Sequence, residues 1–174
     1  FQSVKIGVAE LFNRNLPYGT REINGKPMTS SSFIPYGRQD IRQDDIDAVV
    51  SVLCSEFLTQ GPKVPAFEAA VAAHTGAAHA IAVNSATSAL HIACMALGVG
   101  SGDVVWTVPT TFVASANCAL YCGASVDFVD IDPTRYTMCP KALQAKLQTT
   151  SQLPKVIIPV HLCGQSADMK AIYA

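Results

Sequence analysis

The chain has 174 residues, of which 49% are hydrophobic and 14% charged, and its 12 Lys and Arg nearly cancel 13 Asp and Glu. That composition excludes a disordered chain, and without a basic stripe there is no electrostatic reason to expect nucleic acid or an anionic membrane as partner. No apolar run reaches the ~18 residues of a membrane-spanning helix, and no basic start followed by an apolar stretch marks a secretory signal, so a cytoplasmic protein is expected.

The chain opens on Phe1 and its first methionine is Met28. Residues 1–27 show one short helical pattern and then turn-rich polar sequence. They read as a leader, flexible or foreign to the native protein, with the domain proper over 28–174. Asp44 precedes Ile46, Val49, Val50, Leu53 and Phe57, which predicts an N-capped amphipathic helix over 44–57. Thr59-Gln60-Gly61-Pro62 is loop chemistry, and Val64, Phe67, Ala70 and Val71 mark a second helix stopped near Gly76.

From residue 79 the pattern alternates. Strands are expected at 79–83 (HAIAV), 104–109 (VVWTVP), 125–131 (SVDFVDI) and 155–162 (KVIIPVHL). Helices are expected between them at 87–98, 112–122 and 141–149, with Asp168 capping a last one. Short links and strands apolar on both faces predict an α/β fold, a mostly parallel sheet with helices on both sides. Cys54, Cys94, Cys118, Cys122, Cys139 and Cys163 form no CxxC pair and mostly lie in apolar runs, so they read as free thiols of a reducing compartment.

In such sheets ligands sit beyond the carboxyl ends of the strands, where helices begin. Asn84-Ser85-Ala86-Thr87-Ser88 is one such corner. Ala86, Thr87 and Ser88 offer backbone N–H groups at a helix N-terminus, where the dipole amounts to about half a positive charge. A phosphate would be held there; alternatively Ser85 or Thr87 simply caps the helix. Neither GxGxxG nor GxxxxGK[ST] is present, which argues against NAD and ATP. Phe112, in Pro109-Thr110-Thr111-Phe112, stands at the next strand end on the same edge. It either packs in the core or stacks on a flat heteroaromatic ligand. Cradle and ring together would suit pyridoxal 5′-phosphate.

Four stretches, LTQGPKVPAFEAAVA, AVNSATSALHIACMALGVGSGDVV, PTTFVASANCALYCGASVDFVDID and VIIPVHLCGQSADM, stand in one order from Ile34 to the chain end. Their content and spacing resemble the DegT/DnrJ/EryC1/StrS sugar aminotransferases. IPYGRQDI and SATSAL look most like the branch that aminates C4 of a UDP-linked 4-keto-6-deoxy-N-acetyl hexosamine on the route to pseudaminic acid. The resemblance implies the type I fold of pyridoxal-phosphate enzymes, the chain being the amino-terminal part of its large domain. It implies that Ala86, Thr87 and Ser88 hold the cofactor phosphate and that Phe112 lies on the pyridine. Tyr36, Glu56, Phe57, Leu58 and Thr59, with Ala86, would line the nucleotide-sugar pocket, and Gln165 would stand near the cofactor edge. It further implies a homodimer and an amino-acid donor, glutamate.

Transamination needs a lysine that holds the cofactor aldehyde and moves a proton, and a carboxylate opposite the pyridine nitrogen. Lys5, Lys26, Lys63, Lys141, Lys146, Lys155 and Lys170 all read as solvated charges, and Asp127, Asp130 and Asp132 match other positions of the family pattern. No catalytic residue is therefore expected within this stretch, and the chain alone is expected to be inactive. The competing expectation is a non-catalytic nucleotide-sugar binding or dimerisation module, or a truncated relic. No metal site is expected.

Overall fold

The computed structural model describes residues 22–23, 26–27, 37 and 39–174. The leader expected at 1–27 lies almost wholly outside the described residues. Within it, β1 (Glu22–Ile23) and β2 (Lys26–Pro27) form a short antiparallel pair. The chain divides into two compact units, 1–82 and 83–174.

In the first unit, α1 (Gln43–Leu53) begins one residue before Asp44 and ends well short of 57. Asp45 explains the start: its Oδ2 accepts the Arg42 backbone N–H at 2.9 Å, so the carboxylate closes the first turn from inside the helix. The second helix, α2 (Lys63–Thr75), ends as expected on Gly76, whose φ of 69° suits glycine at a helix C-terminus. The strand expected at 79–83 is absent. A strand needs a neighbour, and none of the described strands pairs with this segment; the Ala82 N–H instead donates to Glu68 Oε1 at 2.8 Å, and Ile81 is 76% exposed.

The second unit is the α/β layer structure the sequence implies. Its elements are α3 (Ala86–Ala96), β3 (Val104–Thr107), α4 (Ala114–Tyr121), β4 (Ser125–Phe128), α5 (Pro140–Thr149), β5 (Val156–Ile157) and α6 (Met169–Tyr173). The three strands are parallel in the order β4-β3-β5, with Trp106 beside Asp127 and Ile157. Alternation along β3 divides the core into two faces. Val105 packs with Val126, Val156 and Ile158 and with Cys94, Cys118 and Ala119 of α3 and α4. Val104, Trp106 and Val108 face the other way, against Met138, Leu143 of α5 and Ile172 of α6. The central strand is thus buried on both sides.

The flanking strands are shorter and wetter than their sequence suggests. β4 is an edge strand, and Asp127 and Phe128 on it are exposed. Only Val156 and Ile157 of the apolar run 155–162 make a ladder, although Ile158 still donates its N–H to Trp106 O at 2.8 Å and accepts the Thr107 hydroxyl at 3.0 Å. Among the described residues no helix is long and apolar enough to cross a membrane.

Candidate functional site

The candidate corner is the turn of chain that leads into α3. Ser85 is extended (φ −160°, ψ 157°), and its Oγ accepts the Ser88 N–H at 3.2 Å. Its hydroxyl also lies 3.1 Å from that of Ser88, which donates to Asn84 Oδ1 at 2.7 Å. Three polar side chains are thus tied to one another across the start of the helix. Capping and anion binding turn out not to compete here. Ser85 serves the third amide of the helix, while the first two, Ala86 and Thr87, have no protein acceptor among the described residues. Two adjacent N–H groups at the positive end of an 11-residue helix, with the Thr87 hydroxyl beside them, fit a phosphoryl group. Ser88 differs from its expected part, since both its amide and its hydroxyl are engaged inside the corner.

Asn84 was not singled out by the sequence. Its signal is the four-residue step to Ser88, which brings an amide oxygen and a hydroxyl together once the chain turns into the helix.

Phe112 lies in the link between β3 and α4, within the same unit. Its ring is 74% exposed, so it does not pack in the core. Its backbone is nevertheless fixed: Phe112 O accepts the Ser115 N–H at 3.0 Å, and the Thr111 and Ser115 hydroxyls are 2.8 Å apart. A held backbone under an open phenyl ring suits stacking on a flat ligand.

Glu56, Phe57, Leu58 and Thr59 belong to the other unit and form one exposed loop after α1. The Ser55 hydroxyl donates to Val52 O at 2.7 Å and lies 3.2 Å from Phe57 O. Gly61 closes the loop at short range, because a Cβ there would meet Phe57 O at 3.0 Å. Tyr36 lies outside the described residues.

The charged groups are accounted for elsewhere. Lys146 is not the solvated lysine its polar helix suggested. Its Nζ lies 2.7 Å from Asp127 Oδ2, donates to Phe128 O at 2.6 Å and sits 4.8 Å from the Trp106 ring centre. The hydrogen bond from Lys146 holds the Asp127 carboxyl below the usual carboxylate range. Asp132 is lowered by the Thr134 hydroxyl and by the Thr134 and Arg135 amides, which its carboxylate accepts in a turn. Lys155 faces Asp103 at 3.9 Å, and Lys63, Lys141 and Lys170 are exposed. No group of His, Cys, Asp and Glu among the described residues could hold a metal ion.

Comparison with known proteins places this architecture. The chain is 44% identical over 142 residues to the spore coat polysaccharide biosynthesis protein SpsC of Bacillus subtilis (strain 168), covering 82% of this chain and 36% of that one. Spr1654 of Streptococcus pneumoniae, solved in a PLP-form, superposes with a TM-score of 0.75 at 34% identity, covering 80% of this chain and 35% of Spr1654. Helicobacter pylori PseC, an aminotransferase involved in the biosynthesis of pseudoaminic acid, gives 0.73 at 31% identity, over 79% of this chain and 37% of PseC. The chain therefore spans about a third of the length of these relatives. Residues 39–174 match the family model, and the chain belongs to the DegT/DnrJ/EryC1/StrS aminotransferase family.

Proposed function

We propose that the full-length protein carrying this chain is a pyridoxal-phosphate-dependent nucleotide-sugar aminotransferase. It moves an amino group, from glutamate, to the C4 keto group of a UDP-linked 4-keto-6-deoxy-N-acetyl hexosamine in surface-glycan synthesis. The observation that carries the reading is the corner at Ser85–Ser88, where the cap leaves the Ala86 and Thr87 amides to a ligand. These two amides and the Thr87 hydroxyl would hold the phosphoryl group, and Phe112 would cover the pyridine and keep water from one of its faces. Tyr36 and the Glu56–Thr59 loop would receive the nucleotide sugar. The bound cofactor supplies the electron sink that makes the α-proton of the donor acidic. Relatedness to PseC supports the choice of acceptor, and the reading includes a homodimer working in the cytoplasm.

The 174-residue chain by itself would be the part that binds without turning over, because Lys146 and Lys155 face Asp127 and Asp103 and Lys63, Lys141 and Lys170 are exposed. Incubate both forms with pyridoxal phosphate, glutamate and a panel of UDP-4-keto sugars, then reduce with borohydride and map the labelled lysine. The expected result is amination by the full-length protein at C4 of the N-acetyl sugar, with the label outside residues 1–174. A specifically labelled lysine and turnover in the short chain would overturn its assignment as binding part. A full-length protein that leaves every 4-keto sugar unaminated would overturn the function.

A further inference from the structure

The corner before α3 spends some of its hydrogen-bond donors and keeps others, and one side chain decides which. The hydroxyl of Ser88 has a single proton, which goes to Asn84 Oδ1 at 2.7 Å. The 3.1 Å contact between the two serine hydroxyls therefore runs the other way, with Ser85 donating to Ser88 Oγ. Ser85 Oγ in turn accepts the Ser88 N–H at 3.2 Å. Both serine protons and the third helical amide are thus used up among the corner's own oxygen atoms. Left over are the Ala86 and Thr87 amides and the Thr87 hydroxyl, which have no protein acceptor among the described residues.

Asn84 precedes the extended cap residue and Ser88 lies within the helix, so their bond spans the point where the chain changes conformation. Without that acceptor, a helical serine turns its hydroxyl to the carbonyl four residues back. Ser85 would then lose the oxygen that receives its proton and holds its rotamer, and the cap on the first turn would loosen. We propose that Asn84 is a positioning residue of the phosphate cradle. By taking the Ser88 proton it orients both serine hydroxyls and holds the Ala86 and Thr87 amides in place for a phosphoryl group. Asn84 and Ser88 act as one unit, and neither touches the phosphate. The inference rests on the pyridoxal-phosphate reading above and adds to it the group that organises the cradle.

A double-mutant cycle separates one shared link from two independent contacts. Prepare the full-length protein as wild type, Asn84→Ala, Ser88→Ala and the double variant, and remove the cofactor. Titrate each by absorbance with pyridoxal phosphate and, separately, with pyridoxal, which lacks the phosphoryl group. Expected is a loss of about five-fold in pyridoxal-phosphate affinity for each single variant, the scale of one hydrogen bond. The double variant should lose about the same five-fold, because both changes remove one link, and not the roughly 25-fold of independent contacts. Pyridoxal affinity should stay within about two-fold of wild type throughout, whereas general damage to the fold would weaken both ligands alike. Undiminished pyridoxal-phosphate affinity in Asn84→Ala overturns the positioning role and leaves the function standing. Losses that multiply in the double variant, or that are equal for the two ligands, overturn it as well. A wild-type protein that takes up no pyridoxal phosphate removes both the inference and the reading beneath it.

Discussion

The central strand and the first two helices are built from similar residues and end in opposite surroundings. Val104 to Val108 are between 0% and 8% exposed, while neither α1 nor α2 contains a buried residue. Val49, Leu53, Val64 and Phe67 stand 52–63% exposed, and Ala48, Val49, Val52, Leu53 and Lys63 line an open apolar groove of ≈ 330 Å³. Apolar periodicity says that a face is made to be covered. It does not say by what. In β3 the covering layers follow within a few dozen residues on either side, so the same signal is satisfied locally. Folding energy in the described residues is accordingly concentrated in the second unit, where two apolar faces meet one strand.

The largest expected effect breaks that concentration directly. Trp106 is 1% exposed, packs between Met138 and Leu143, and carries the Lys146 ammonium against its ring. Trp106→Ala should lower unfolding stability by about 3–5 kcal/mol, through lost burial and the cavity left behind. Phe67→Ala, on a ring 57% exposed, should change it by under about 0.5 kcal/mol. Urea unfolding of both variants of the 174-residue chain measures the difference. Comparable losses would show that α2 is packed in solution and that the contrast between the units is false.

Thiol chemistry sharpens the same contrast inside the second unit. Burial, followed by the neighbouring Cys118 thiol, pushes the Cys94 thiol up to about 12, and burial raises Cys118 too. Cys163, at the tip of its turn, is exposed. Native alkylation with iodoacetamide at pH 8, read by peptide mass spectrometry, should label Cys163 at least about a hundredfold faster than Cys94 or Cys118, since only the thiolate reacts. Denaturation should equalise the three rates. Fast labelling of Cys94 in the native chain would mean that α3 and α4 open readily from the sheet.

How far the sequence revealed all this depended on whether the deciding contact was near in the chain. Helices α2, α3, α4 and α5 are legible from spacing and from Gly76 and Gly123, because helix ends are decided by neighbouring residues. The 79–83 strand was misread because HAIAV has strand composition without a strand beside it, and pairing is not a local property. The same gap hides the part played by Lys146. A lysine on a polar helix looks solvated until the fold brings Trp106 and Asp127 beneath it. At the corner, SATSAL announced a helix start that could hold an anion. That Ser85 would take the Ser88 amide and spare two others is a matter of rotamer and hydrogen-bond geometry. Residue types alone do not specify it.

The smallest effect lies at the sheet edge, where the buried unit meets water. Asp127 is drawn below the ordinary carboxylate range by Lys146, and its side chain is 54% exposed. Water screens a pair of this kind, so Asp127→Asn should cost at most about 0.5 kcal/mol at neutral pH. The sign of its pH dependence is fixed by linkage. A carboxyl with a lowered folded-state pKa stabilises fully above the unfolded value near 4, and the contribution disappears as pH falls through the lower folded value. Urea midpoints of the wild-type chain should therefore fall more steeply below pH 5 than those of Asp127→Asn, and the two curves should converge in acid. Lys146 keeps Phe128 O and the Trp106 face in the variant, so α5 should stay docked. If the variant instead lost as much stability as Trp106→Ala, the edge would share in the core's cooperativity, and the gradient from central strand to surface would have to be abandoned.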